Sequence, residues 1–221
     1  MIDAREHFQK ELQKLNDLIL KMGGMVEKSI FRSVEALKKN NPKLAKEVID
    51  EDETIDRIEL EVDDLCLELL ATQQPMAIDL RFITTGMRIG SDLERIGDLA
   101  VDIAQRAEEL AKLPLLKPLE DIPKMAELAE QMVHKALDSF VKRDATLART
   151  LWTDETKADS YRNLVSDELT DIMTKDPVTT PRALPLILIA RHLERISDHA
   201  TNIAEDVVYM VEGKVIKHGP K

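Results

Sequence analysis

The chain has 221 residues, of which 43% are hydrophobic, 33% charged and only 3% aromatic, with seven glycines. Residues that lose little side-chain freedom in a helix (Leu, Ala, Glu, Lys, Met) stand where a sandwich or wound sheet would need Val/Ile runs and turn residues, so the fold class is all-α. A formal net charge of −11 speaks against gripping a nucleic acid backbone and for cations or basic partner surfaces, and the single cysteine, Cys66, excludes a disulfide framework.

The start, Met1 to His7, is polar and acidic and has no signal-peptide character. Leu12, Leu15, Ile19, Met22, Val26, Ser33 and Leu37 step by threes and fours along a first helix that Asn40-Asn41-Pro42 stops. Leu44, Val48, Ile55, Ile58, Val62, Leu65 and Leu69 mark a second, ending near Gln73-Gln74-Pro75; Cys66 falls in its apolar run and reads as a small buried hydrophobe. Phe82, Ile89, Leu93, Ile96, Ala100, Ile103, Ala107 and Leu110 mark a third. After Pro114, Pro118 and Pro123, a fourth helix is expected from about Lys124 to Arg143 and a fifth from Ala145 to Thr174, broken by Asp176-Pro177. A sixth runs from about Pro181 to Val211. The organisation is two tandem three-helix bundles, residues 1–112 and 124–221, joined by a Pro-rich connector at 113–123. The longest apolar run, around Leu184 to Ala190, is broken by Pro185 and closed by Arg191, so a cytoplasmic protein without direct membrane insertion is expected.

The two halves repeat in letters as well as in period. Leu93-Glu94-Arg95-Ile96 returns as Leu193-Glu194-Arg195-Ile196, Asp98 as Asp198, and Leu44-Ala45 as Leu147-Ala148. Within each half one spacing occurs twice, an acid followed four residues later by Asp: Asp52/Asp56 and Glu94/Asp98, then Glu155/Asp159 and Glu194/Asp198. Residues four apart share a helix face, where like charges destabilise the helix by a few tenths of a kcal/mol. Asp52 and Asp98 lie equally far from Pro75, as do Asp56 and Glu94. In the second half Glu155 and Asp198, and Asp159 and Glu194, lie equally far from the Asp176–Pro177 bond. Two antiparallel helices joined at those turns therefore bring four carboxylates to one level, twice.

Four carboxylates at one level repel unless protonated or neutralised, and polyvalent cations are the evident counter-charge. An all-oxygen donor set suits Mg²⁺, Mn²⁺ or iron, and Zn²⁺ less typically; with no thiolate and few histidines a tetrahedral structural zinc is disfavoured. Gly86, Gly90 and Gly97 lie on or beside the Glu94 face, with Ala190 and Ser197 as the later counterparts of Gly90 and Gly97. Each glycine costs about 1 kcal/mol relative to Ala, and two accounts fit: room for a metal cluster, or close helix packing. Glu59, Glu61, Asp63 and Asp64 read as a solvated face, and Arg81, Arg88 and Arg95 as surface arginines at heptad spacing. Arg95 and Arg195 stand beside the acid pairs, either supporting them or exposed. His199 is left out of the site because its counterpart is Leu99.

Met22-Gly23-Gly24-Met25-Val26-Glu27, Gln74-Pro75 with Asp79-Leu80-Arg81, and Leu93-Glu94-Arg95-Ile96-Gly97-Asp98 together resemble the PhoU family of phosphate-transport accessory proteins, over essentially the whole chain. The resemblance implies paired three-helix bundles with multinuclear metal sites, one per repeat, iron or zinc in known members, held by the eight acids. It also implies a cytoplasmic homodimer that negatively regulates phosphate uptake and the starvation response. Its partners would be the ATPase subunit of the phosphate ABC transporter and the phosphate-sensing histidine kinase. Asn202 stands where the first repeat has Asp102, which sets any further ligand at that level apart in the second site.

The competing reading is a carboxylate-bridged metal oxidase of the ferritin-like kind, whose sites use Glu-x-x-His pairs. No histidine of this chain has a Glu three residues before it. Neither a phosphate-cradling Gly-rich loop nor a nucleophile elbow is present, so a non-enzymatic protein is expected.

Overall fold

Two matching turns show how the duplication is built. In the first, α1 (Ala4–Lys38) gives way at Asn40, whose φ of 51° is left-handed, to Asn41, which caps α2 (Pro42–Gln73) by accepting the Leu44 N–H at 3.2 Å. In the second, α4 (Asp121–Lys142) gives way at Arg143, again with φ 51°, to Asp144, which caps α5 (Ala145–Arg149) by accepting the N–H groups of Thr146 and Leu147. Such a cap satisfies N–H groups for which the first turn of a helix has no carbonyl. The computed structural model describes residues 4–216, so the first three residues and the end of the basic tail lie outside the described part.

The fifth rod is α5 followed by α6 (Leu151–Lys175), with one tightened turn between them. Thr150 keeps helical torsions (φ −69°, ψ −17°), but its N–H and its hydroxyl both donate to the Leu147 carbonyl, at 3.0 and 2.7 Å. That carbonyl is drawn back by three residues instead of four, which breaks the regular ladder without turning the chain. A single 3₁₀ turn, Pro177–Thr179, leads into α7 (Thr180–Glu212), and α3 (Ile78–Leu110) completes the first hairpin. Helix α4 starts three residues ahead of Lys124, because Pro123 occupies its first turn, where a missing N–H breaks no bond.

Helices α1–α3 pack as one unit and α4, α5–α6 and α7 as another, with α3 against α7 and α1 against α4 joining them around a continuous apolar core. The α1 stripe Leu15, Ile19, Met22, Val26 and Ile30 is fully buried. Each such side chain contributes about 1.5–3 kcal/mol of transfer free energy. At Gly23 an added Cβ would come within 2.1 Å of Leu137 Cδ1, so α1 and α4 meet there with no space for a side chain. Phe82 of α3 stacks on Phe140 of α4, ring centroids 5.1 Å apart.

Polar groups set the antiparallel register of α3 on α7. Arg81 Nε donates to the Met210 carbonyl at 2.9 Å, Arg88 pairs with Asp206 at 2.8 Å, and Asp92 Oδ1 lies 2.8 Å from His199 Nδ1 and 3.5 Å from Asn202 Nδ2. Further along, His192 Nδ1 lies 3.7 Å from Asp102. Asp92 and His192 hold equivalent places in the two repeats, as do Asp102 and Asn202, so the duplication is a spatial pseudo-symmetry as well as a sequence one. Among the described residues no helix is long and apolar enough to cross a membrane.

Candidate metal centre

The register inside the first hairpin is readable from its glycines. A Cβ placed on Gly90 would lie 3.1 Å from Val62 Cγ1, and one placed on Gly97 would lie 3.1 Å from Asp52 Oδ1. Asp52 therefore stands over Gly97, beside Asp98, as equal distance from Pro75 requires. The glycines divide between the two accounts. A Cβ added to Gly86 would meet Leu15 and Ile19 at 3.2 Å, as one on Gly90 meets Val62, whereas Gly97 makes the bed of a carboxylate. Its counterpart Ser197 is buried and turns its hydroxyl onto its own helix, donating to the Leu193 carbonyl at 3.3 Å.

The eight acids fall into the two expected groups. Burial raises the Asp52 carboxyl to about 6, and the charges of Asp56, Asp98 and Glu94, in that order, add to the rise. Burial likewise raises Asp198 to about 6, helped by Glu194, Glu155 and Asp159. Each raised Asp feels the three other members of its own quartet. Glu94 is raised by burial and by Asp98, against the pull of Arg95, with Asp56 and Glu59 adding. Seven of the eight are half-buried and Asp56 is exposed, so both quartets sit at the mouth of a hairpin seam, open to solvent. The side chains are not drawn tightly together: among the described residues no three His, Cys, Asp or Glu side chains stand at ligating spacing.

Arginines account for part of that spread. Arg95 reaches Asp98 at 3.0 Å and Glu94 at 3.3 Å, both on its own helix, and is largely exposed. Arg162 does something different. One of its nitrogens, Nη2, lies 3.4 Å from Asp159 on α6 and 3.3 Å from Glu194 on α7, bridging the hairpin. Acids next in line are kept out of the quartets by cations, one from the first helix of each repeat (Arg32, Lys135) and one, Lys157, from Asp154's own helix. Arg32 holds Glu51 low through a 2.6 Å bond, and the burial of Asp154 is outweighed by its bonds to Lys135 and Lys157.

Several readings from sequence need adjustment. Glu59 does not belong to the solvated face: it is half-buried, and burial, Asp63 and Asp56 raise its carboxyl. It lies three residues after Asp56, on the same helix face, as Arg162 lies three residues after Asp159, so one more step of helical spacing would have found both. Arg88 and Arg95 lie at the surface as expected, but Arg81 and Arg88 also tie the repeats together through Met210 and Asp206. His199, Asp102 and Asn202 belong to the α3–α7 seam. Cys66 is buried and its thiol pushed up to about 12, chiefly by burial, which leaves it inert as a ligand or nucleophile.

The donor set fits hard or borderline cations. Each quartet offers carboxylate oxygens from two facing helices, and the two raised aspartates mark where negative charge is costliest and a cation would relieve most. An ion held there by Asp52, Asp56, Glu94 and Asp98, or by Glu155, Asp159, Glu194 and Asp198, would supply positive charge and tie two helices together.

The PhoU domain matches the chain twice, over residues 19–107 and 122–207. A phosphate-specific transport system accessory protein PhoU homolog from Aquifex aeolicus is 41% identical over 209 residues, covering 95% of each chain. A homolog of the same description from Pseudomonas aeruginosa is 36% identical across 96% of this chain and 88% of its own. The crystal structure of PhoU from Pseudomonas aeruginosa superposes with a TM-score of 0.90 at 37% identity, covering 94% of this chain and all of that one. That of the phosphate transport system regulatory protein PhoU from Streptococcus pneumoniae gives 0.88 at 28% identity, over 95% and 99%.

Proposed function

This chain belongs to the PhoU family, and from that premise we propose that it is a cytoplasmic, non-catalytic regulator of phosphate transport whose two acid quartets hold metal ions. Asp52, Asp56, Glu94 and Asp98 hold the ions of the first site, and Glu155, Asp159, Glu194 and Asp198 those of the second. Iron or zinc is favoured by kinship; manganese or magnesium also suits the oxygens. The observation that carries the metal reading is geometric: hairpin register brings four carboxylates from two helices to one level in each repeat, with Asp52 Oδ1 against the Gly97 position, and the raised carboxyls of Asp52 and Asp198 agree with it. The regulatory reading is supported by relatives named as accessory proteins of the phosphate-specific transport system.

In this reading the protein acts as a homodimer on the ATPase subunit of the phosphate importer and on the phosphate-sensing kinase, holding uptake and the starvation response down when phosphate is plentiful. A strain lacking the protein should take up more phosphate in rich medium and express starvation genes there, and the intact gene should reverse both. Unchanged uptake would remove the regulatory reading. Elemental analysis of protein purified without chelator tests the metal separately: fewer than one ion per chain would remove it. A ferritin-like oxidase would need histidine ligands, and the histidines nearest the second quartet, His192 and His199, face acids of the opposite repeat.

A further inference from the structure

We infer that the two quartets are unequal metal sites, because the second carries its own counter-ion, Arg162, at the position where the first carries an extra acid, Glu59. The inference rests on the metal reading above and concerns only how this chain's residues tune it.

The two positions are equivalent by helical register: each lies one turn beyond the second acid of its pair, Asp56 or Asp159, on the face that meets the partner helix. In the first repeat the side chain there is a carboxylate. Glu59 is raised by burial, Asp63 and Asp56, and itself contributes to the rise of Glu94. In the second repeat the guanidinium of Arg162 touches Asp159 and Glu194 at once and is further held by Asn163 Oδ1 at 2.8 Å. Its Nε is buried without a hydrogen-bond partner, so the head group is drawn into the seam and does not simply lie on the surface.

A guanidinium nitrogen standing between two carboxylates from different helices meets part of the same electrostatic demand as a metal ion. An incoming cation at the second quartet must displace those two charge-assisted contacts and accept a like charge close by. At the first quartet the cation meets one more negative group and no bridging guanidinium. Arg95 offsets this only in part: it is exposed, its contacts run to Glu94 and Asp98 on its own helix, and its pull on Glu59 across the hairpin is outweighed by burial and by Asp63 and Asp56. The first quartet is therefore the tighter site and fills first, and the second is latched by protein until cation concentration is high enough to release Arg162.

The test is a calorimetric titration of the chelator-stripped full chain with Mn²⁺, with bound ions counted by elemental analysis. The wild type should show two phases, the tighter one missing in Asp56→Asn/Asp98→Asn. Arg162→Gln should tighten the second phase by about tenfold, the scale of one charge-assisted contact. Glu59→Arg should weaken the first phase by about as much and bring the phases together. Arg195→Gln removes a charge from an exposed neighbour of Glu194 and should move the second phase far less. Urea unfolding of each variant shows whether the fold survives, and Glu59→Arg keeps the inference testable if Arg162→Gln does not fold. Two phases that stay in place in both Arg162→Gln and Glu59→Arg would overturn the inference, as would a tighter phase that survives loss of the first quartet. If the wild type takes up no Mn²⁺, iron or zinc, the metal reading itself falls and takes this one with it.

Discussion

Two kinds of helix seam run through this molecule, and their acids are treated in opposite ways. Along the seam between the repeats, where α3 meets α7, the acids face basic or polar groups: Asp206 meets Arg88, Asp92 meets His199 and Asn202, and Asp102 meets His192. Along the seams within the hairpins, four acids meet one another, and the arginines nearby satisfy them only in part. The first arrangement is how a protein joins two surfaces permanently. The second is costly in the protein alone and becomes favourable when something positive is added. The largest expected effect follows from that difference. A metal present at a hundred times its dissociation constant should raise the stability of the stripped protein by about 2.7 kcal/mol per site. Asp56→Asn/Asp98→Asn should lose the first site's share and keep the second's. If calorimetric unfolding showed both shares lost, or neither, the assignment of one site to each hairpin would be wrong.

A smaller effect separates the seams without any metal. Asp92→Ala deprives half-buried His199, and more weakly the exposed Asn202, of their shared acceptor and should cost about 1 kcal/mol. Asp52→Asn removes a half-buried charge surrounded by three like charges, and should stabilise the stripped protein. The rise of its carboxyl from 3.8 to about 6 corresponds to about 3 kcal/mol undiscounted, and solvent screening at a half-exposed group reduces the expected gain to about 1 kcal/mol. Losing an acid thus has opposite signs at the two seams. Urea unfolding of the two variants in chelator measures it, and the same sign for both would erase the distinction.

The sequence made the hairpin seams legible and left the other seam hidden, for a geometric reason. A short turn at Pro75 or at Asp176–Pro177 ties the register of its two helices to distance along the chain, so the meeting of Asp52 with Asp98 could be read by counting. The contact of Asp52 with the Gly97 position agrees with that count. Nothing comparable ties α3 to α7. Arg88 and Asp206, or Asp92 and His199, come from different repeats, and their register depends on packing choices such as the fit of Leu137 against Gly23 and the Phe82–Phe140 stack. Helix ends were legible where a cap or a proline acts locally, as at Asn41-Pro42. The turn at Thr150 was not, because a hydroxyl donating back to its own helix is compatible with many straight helices. Glu59 was misplaced for a different reason: four acids in six residues look like a solvated face until one knows which of them points at α3.

The last and finest test is the response of the stripped protein to acid, where a lowered histidine opposes the raised aspartates. Asp52 and Asp198 are raised from an ordinary value of 3.8 to about 6. Between those values the folded chain keeps protons that the unfolded chain has lost, so stability falls as pH rises through the window, and the penalty is complete above about 6. Acidification from neutral pH therefore relieves the hairpins. His192 runs the other way. Burial, opposed by Asp102 and reinforced by Arg195, Arg106 and Arg191, lowers it from 6.5, so the unfolded chain takes up a proton first as pH falls. Stability contributed by neutral His192 is present above 6.5 and is lost on acidification. Unfolding measured at pH 7 and pH 5 should place the wild type's response between those of two variants. In Asp52→Asn/Asp198→Asn the gain disappears and a net loss on acidification remains; in His192→Asn the loss disappears and acid stabilises. Asp206 in the seam between the repeats is also raised by burial, against the pull of Arg88, and adds the same relief on acidification to both variants. The variants therefore differ only by what Asp52 and Asp198 gain and His192 loses, and parallel pH responses would show that these groups do not set the acid response.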